Sequence, residues 1–232
     1  MNLSTVIPTL NEAETLPSLL EDLGALKAIV PTHVVVADGG STDATVACAL
    51  AAGATVVDAP RGRARQLNAG ARAAQGQWLL FLHADSRLHE EARRALRGVF
   101  SEPGQLEAAV FRFAVDLPPT WRRLTEWGQA LRETVLDLPY GDQGLLVRRE
   151  LFEAVGGYPD ISIMEDVAMI HVLRRHTVIR RLPAAVVTSG RRYRRAGVAR
   201  TWLSHTALIA AYFAGVTPTR LARWHDSGPG GS

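Results

Sequence analysis

Four short segments carry the residues best suited to chemistry. In Asp38-Gly39-Gly40-Ser41-Thr42-Asp43 a carboxylate leaves an apolar run, and two glycines let the backbone come close to a ligand. Such a carboxylate can accept hydrogen bonds from a nucleobase or a ribose. The same residues also suit a tight strand-to-helix turn, with Asp38, Ser41 and Asp43 acting as caps. In His83-Ala84-Asp85 a carboxylate again ends an apolar run. One carboxylate can hold Mg2+ or Mn2+ when diphosphate oxygens and water complete the shell. It can equally cap the following helix, with His83 as a structural hydrogen bonder.

The third segment, Arg61-Gly62-Arg63-Ala64-Arg65-Gln66-Leu67-Asn68-Ala69-Gly70, alternates arginines at a helix start. Free N–H groups and the helix dipole already favour anions there, so a pyrophosphate grip is one reading and a basic solvated helix end the other. The fourth, Glu165-Asp166, opens a helix after Gly156-Gly157-Tyr158-Pro159. One carboxylate of such a pair can orient while the other accepts a proton from a hydroxyl. Ordinary acidic charge at a helix N-terminus explains the pair as well.

These segments need a scaffold. Residues 3–7, 34–37, 54–57 and 78–82 are short apolar runs that predict strands. Between them, residues 13–28 set Leu16, Leu19, Leu20 and Leu23 on one helical face. Residues 44–52 predict a second helix capped by Ser41 and stopped by Gly53, and residues 63–74 a third, stopped by Gly76. Strands alternating with helices predict an α/β fold with a parallel sheet covered on both faces. Ligands of such sheets bind beyond the carboxyl ends of the strands, where strand order reverses. The polar clusters at 8–12, 38–43, 61–65 and 83–85 all follow strands and so share that rim.

The second half is less regular. Strands are expected at 108–115, 145–147, 178–182 and 185–188, and helices at 119–136, 150–155, 165–175 and 201–214. In the helix at 119–136, Trp121, Leu124, Trp127 and Leu131 lie along one side. The Gly- and Ser-rich segment 226–232 is expected to be disordered.

Charge and composition narrow the function classes. The 232 residues are 47% hydrophobic with a net charge of only +3, so charge alone indicates no nucleic-acid partner. Lys27 is the sole lysine, and arginine, which grips phosphate through two parallel bonds, supplies the remaining basic charge; codon usage can produce the same bias. Cys48 is the single cysteine and cannot form an internal disulfide, which favours a reducing compartment. The start of the chain shows no basic leader and no run reaches about 18 apolar residues, so a cytoplasmic location is expected.

Taken in order from residue 2 to 190, Pro8-Thr9-Leu10-Asn11-Glu12, Asp38-Gly39-Gly40-Ser41-Thr42-Asp43, the helix start at 62–70, Ala84-Asp85 and Glu165-Asp166 resemble the motifs of glycosyltransferase family 2. The resemblance implies the GT-A fold, a three-layer α/β/α sandwich with a mostly parallel, Rossmann-like central sheet. It implies one domain over residues 1–225, made of a nucleotide-sugar half (1–100), an acceptor and catalytic half (101–197) and a C-terminal helix (198–216). The implied reaction moves a sugar from a nucleotide-diphosphate donor, UDP favoured and GDP admitted, to a hydroxyl acceptor with inversion.

By the same resemblance, Pro8, Thr9, Asn11 and Glu12 line the nucleotide, and Asp38 with Gly39 meets the base. Arg63, Arg65, Asn68 and Ala84 belong to the donor site, and Asp85 holds Mg2+ or Mn2+. Asp166 is the general base with Glu165 beside it, and Asp142 and Gln143 meet the acceptor. Arg191 and Arg194 lie where many members carry a basic-aromatic motif near the diphosphate. His83 stands where the first carboxylate of the Asp-X-Asp metal motif is expected, a departure that bears on metal use and nucleotide preference. Leu82-His83-Ala84-Asp85, Tyr140-Gly141-Asp142-Gln143-Gly144 and the terminal arginine-rich segment are similar, more narrowly, to a compact bacterial subfamily described as associated with radical-SAM/selenodomain proteins.

Two alternatives stand beside this reading. A sugar nucleotidyltransferase shares the fold but usually needs a Gly-rich loop with Arg and Lys where this chain has residues 8–12. A non-catalytic nucleotide-sugar binding module has no need of Glu165-Asp166. Further on, Arg191, Arg192, Arg194, Arg195 and Arg200 precede Trp202, Leu203, Leu208, Ile209, Tyr212 and Phe213. Such a helix can lie on an anionic membrane and meet a lipid-linked acceptor. Packing on the domain or in a dimer interface is the favoured expectation, with monomer and homodimer both open.

Overall fold

The apolar runs become strands, largely buried in the first, second and fourth as strands covered on both faces must be, while the third, at the sheet edge, stays partly exposed. In a computed structural model that describes residues 2–102, 104–117, 144–191 and 197–227, β1 (Leu3–Thr9), β2 (Thr32–Asp38), β3 (Thr55–Asp58) and β4 (Trp78–Phe81) run parallel. The side chains of residues 198–200, 202, 205 and 225–227, the expected helix at 119–136, and Asp142, Gln143 and Arg194 lie outside the described residues. The connecting helices are α1 (Leu16–Lys27), α2 (Thr45–Ala51) and α3 (Arg63–Ala73). Leu16, Leu19, Leu20, Leu23 and Leu26 form the buried face of α1.

The second half adds β5 (Ser86–Arg87), α4 (Glu90–Ser101), β6 (Ala108–Val115), β7 (Leu145–Arg148), α5 (Arg149–Ala154), α6 (Glu165–Leu173), β8 (Ile179–Thr188), α7 (Val198–Phe213) and α8 (Pro218–Ser227). One eight-stranded sheet results, in the order β3-β2-β1-β4-β7-β6-β8-β5. β7 runs antiparallel to β4 and β6, and β5 antiparallel to β8; the other strands share one direction. Strand order reverses at β1, which lies between β2 and β4.

Alternate strand residues face two helical layers. Leu3, Ile7, Val36, Leu80 and Phe111 pack with the leucines of α1 and with Leu96 of α4. Val6, Val35, Leu79, Phe81 and Val147 pack with Leu67 of α3, Phe152 of α5 and Met169 of α6. Gly76 matters here: a Cβ would sit 2.6 Å from the backbone of Leu3 and Ser4, so only glycine lets β4 enter beside β1.

Several expectations need correction. The two strands expected at 178–182 and 185–188 are one, Ile179–Thr188. Pro183, which has no N–H for the ladder, falls where the β6–β8 register slips, and Arg112 Nη2 donates to its carbonyl at 2.8 Å. β5 had no apolar signal, because it is held by Asp22, whose carboxylate accepts Arg87 Nε at 2.7 Å and the Leu88 N–H at 2.9 Å. Ser41 does not cap α2; its hydroxyl is taken by Asp38, while Asp43 Oδ1 accepts the Thr45 N–H at 3.0 Å. Helix α8 extends through Asp226 and Ser227, the first two residues of the segment expected to be disordered. Among the described residues no helix is long and apolar enough to cross a membrane.

Candidate functional site

The loops after β1 and β2 are fastened to each other by side chains. Asp38 ends β2 and is 4% exposed. Its Oδ1 accepts the hydroxyls of Thr9 (3.0 Å) and Ser41 (2.5 Å), and its Oδ2 accepts the N–H groups of Gly40 (3.0 Å) and Ser41 (2.7 Å). Burial opposes the charge, yet these bonds from Ser41, Thr9 and Gly40 outweigh it and hold the carboxyl below its ordinary pKa. Asn11 takes a left-handed φ of 55°, which asparagine tolerates, and its Oδ1 accepts the Thr42 N–H at 2.8 Å. The N–H of Asn11 donates to Ser41 Oγ at 2.9 Å, that of Glu12 to Thr45 Oγ1 at 2.8 Å, and that of Ala13 to Asp43 Oδ2 at 3.1 Å.

The start of α3 joins this rim to the distant α6. Gly62, with φ 135° and ψ 126°, sets the entry to α3, and no side chain caps its first turn. Arg63 Nη1 donates to Glu165 Oε1 at 3.1 Å across 102 residues of sequence, and Arg65 Nε donates to Asp160 Oδ1 at 2.9 Å. Glu165 is 2% exposed. Its burial raises the carboxyl pKa; Arg63 pulls it down, Asp166 pushes it up, and His83 lowers it again, with a net rise. Asp166 is partly exposed, and its Oδ1 accepts the Val167 N–H at 2.8 Å. Met164, just before this pair, has a left-handed φ of 69° and packs with Val167, Ile209 and Tyr212. A non-glycine residue in that region is strained, and the packing from α7 offsets the strain. Burial drives the Tyr158 hydroxyl well above its ordinary pKa, with further upward pushes from Asp166 and Glu165.

The third side of the rim is built by β5 and β8. Ser86 pairs with Thr188, and the Ser189 N–H donates to the Asp85 carbonyl at 3.1 Å. Two residues further on, Arg191 Nη2 lies 3.5 Å from Glu12 Oε2 and its Nη1 3.9 Å from Glu14 Oε2. Among the described residues, no three His, Cys, Asp or Glu side chains cluster so as to hold a metal by themselves. Asp85 therefore suits only an ion whose shell is completed by a phosphate ligand and water.

Residues 4–158 match the family Glycosyl transferase family 2. The chain belongs to this family. A PGL/p-HBAD biosynthesis glycosyltransferase from Mycobacterium bovis, like its Mycobacterium tuberculosis counterpart, is 31% identical over 164 residues, covering 67% of this chain and 62% of that protein. The match thus spans less than two thirds of the length of these relatives. Among solved structures, S. aureus TarS 1-349 superposes with a TM-score of 0.63 at 17% identity, over 87% of this chain and 64% of that one. Glucosyl-3-phosphoglycerate synthase from M. tuberculosis, in complex with Mg2+ and UDP, gives 0.61 at 21% identity, over 85% and 75%. These likenesses show the mixed α/β GT-A arrangement around a curled central sheet.

The family 2 match contains Asp38 and Asp85 but stops short of Glu165, Asp166 and Arg191, which only the fold brings back to the rim. Pro8, Thr9, Asn11, Glu12, Gly39 and Ala84 also lie where β1, β2 and β4 end. Asn68, expected at the donor, makes two bonds to the backbone of Tyr158: its Nδ2 donates to the carbonyl at 2.7 Å and its Oδ1 accepts the N–H at 2.9 Å. It clamps the Gly156-Gly157-Tyr158-Pro159 turn to α3. Arg63 and Arg65 carry carboxylate partners, so both are ion-pair ties before they are phosphate ligands.

Gln66 was missed as a site residue. Its buried amide donates to the carbonyls of Thr9 (2.7 Å) and Ala37 (2.9 Å) and so locks the ends of β1 and β2 to α3. The available signal was a polar residue among Ala64, Leu67 and Ala71 on the apolar side of its helix. Gly39 answers to the same contact, since a Cβ there would come within 3.0 Å of Gln66 Nε2.

Proposed function

We propose that this family 2 chain is an inverting glycosyltransferase that moves a sugar from a nucleoside-diphosphate donor, UDP-sugar favoured over GDP-sugar, to a hydroxyl acceptor. The observation that carries the reading is the Arg63–Glu165 contact, which ties the acidic start of α6 to the helix beside the Asp38 loop. Asp166 accepts the proton of the acceptor hydroxyl. The oxygen thereby activated attacks the anomeric carbon in line, and the nucleoside diphosphate leaves from the opposite side. Arg63, Arg65 and Arg191 stabilise the negative charge that grows on the leaving group, each exchanging a carboxylate partner for phosphate. Asp85, with His83 two residues before it, would hold Mg2+ or Mn2+, which when bound neutralises the departing diphosphate. The Mg2+ and UDP of the structurally similar glucosyl-3-phosphoglycerate synthase support this assignment.

On this reading residues 1–225 act as one cytoplasmic domain of the compact bacterial radical-SAM/selenodomain-associated subfamily, with Asp142 and Gln143 at the acceptor. Thermal-shift measurements with UDP-, GDP- and dTDP-sugars, with and without Mn2+, test it. A UDP-sugar should raise the Tm most, and the Mn2+-dependent part of the rise should vanish in Asp85→Ala. No rise with any of the three donors would overturn the reading.

A further inference from the structure

The C-terminal part of the chain carries two features of which the transfer reaction uses only Arg191. The first is charge. Between Asp166 and Asp226 the sequence holds eleven arginines and not one Asp or Glu, while the rest of the chain carries 15 basic against 23 acidic residues. A net charge of only +3 thus conceals a strongly positive C-terminal quarter, of whose arginines Arg200, Arg220 and Arg223 belong to α7 and α8. Arg220 and Arg223 of α8 are exposed.

The second feature is an apolar face turned outward. Ile209 and Tyr212 of α7 pack inward on Val167 and Met164. On the opposite side of α7, Leu203 (60% exposed), Ala207, Ala210 and Phe213 (49% exposed) face solvent with no charge among them. Four residues later α8 begins; it buries Leu221 and exposes Trp224 (57%) next to Arg223. Apolar helix faces bordered by arginine and tryptophan match the two halves of an anionic bilayer surface: acyl chains for the apolar side chains, phosphate headgroups for the guanidinium groups.

We infer that α7 and α8 dock this protein on an anionic lipid bilayer. A second copy of the chain is the poorer occupant. A two-fold contact sets the same surface against itself and would bring arginines against arginines, with Asp226 the single carboxylate of α7 and α8. The docking has a consequence for the site. α7 lies directly on the helix that carries Glu165 and Asp166, so the bilayer surface comes within about one helix diameter, roughly 10 Å, of that pair. An acceptor hydroxyl held among lipid headgroups would then be presented at Asp166. The binding itself does not depend on the transfer reaction.

Co-sedimentation of the full chain with extruded vesicles tests the inference. Vesicles of phosphatidylglycerol and phosphatidylethanolamine should bind the protein at about 0.1 M salt, where the Debye length is about 10 Å, and much less at about 1 M, where it is about 3 Å. Pure phosphatidylcholine vesicles should bind it weakly. Each arginine near an anionic surface is worth roughly a fivefold change in partitioning, so Arg220→Ala with Arg223→Ala should weaken binding roughly 25-fold. Phe213→Asp with Trp224→Asp should weaken it by an order of magnitude or more, on the order of tenfold at least. Circular dichroism and the Tm of these exposed-site variants report whether they are folded; if either is not, the lipid and salt dependence of the unaltered chain still decides. Equal binding to neutral and anionic vesicles, no binding to either, or wild-type partitioning by both folded variants would overturn the inference. So would sedimentation equilibrium that shows a dimer which Phe213→Asp with Trp224→Asp converts to monomer.

Discussion

Asp38 and Glu165 are buried to nearly the same degree, 4% and 2% exposed, yet their acidities move in opposite directions. Asp38 accepts four hydrogen bonds, three of them from the two residues Gly40 and Ser41 just after it in the chain. Glu165 has Arg63, from the other half of the molecule, and the like charge of Asp166 next to it. Burial does not set the charge state of a carboxylate; the donors aimed at it do. Asp38 is consequently a fixed, ionised centre that organises a turn. Glu165 relies on a distant cation, Arg63, to offset part of the cost of its burial.

The largest expected effect separates the two carboxylates of α6. Asp166→Asn should lower kcat roughly a thousandfold, about 4 kcal/mol in the barrier, with donor affinity unchanged by calorimetry. If Glu165→Gln shows that loss and Asp166→Asn does not, the roles are reversed. Next in size, Asp38→Ala should cost about 3–5 kcal/mol in denaturant unfolding, because four donors lose their acceptor in a buried turn. A cost under about 1 kcal/mol would mean that the turn holds without its carboxylate.

Then comes the pH response. The folded pKa of Asp38 lies below its ordinary value of about 3.9, so its contribution is present above that pH and is lost as pH falls through the folded value. The folded pKa of Glu165 lies above its ordinary value of about 4.3, so its contribution is complete below that pH and is lost as pH rises through the raised value. Asp38→Asn should flatten the stability profile on the acid side. Glu165→Gln should flatten it from about pH 4.3 upward. Identical profiles for the two variants would erase the contrast. The smallest effect is expected of Arg65→Ala, whose exposed pair with Asp160 should leave the Tm within measurement error. A drop in donor affinity without a drop in Tm would sharpen its role as a phosphate ligand.

The legible parts of the site were those made from neighbouring residues. Asp38 and its glycines could be recognised because strand, turn and first helical residues follow one another, and a carboxylate there has few geometries open to it. Gln66 could not be assigned in advance, because its partners are the carbonyls of Thr9 and Ala37, and backbone carbonyls leave no trace in a sequence. Asn68 is expected at the donor for its place in a motif; its bonds to the backbone of Tyr158, 90 residues on, have no sign in the sequence. β5 is two residues long and polar, so no periodicity marks it, yet its pairing with β8 brings Ser189 to the carbonyl of Asp85.

By itself the sequence determined the alternation of buried strands and helices, the parallel first half and the rim on which Asp38 and Asp85 lie. Those follow from apolar periodicity and from turn chemistry, which act over a few residues. Only the tertiary structure decided that β7 enters between β4 and β6, and that Arg63 meets Glu165. It also decided that Arg191 reaches Glu12 and that α7 packs behind Asp166 with its outer apolar face exposed. These are contacts between segments up to about three quarters of the chain apart, and their energy depends on which side chains the whole fold leaves with no nearer partner.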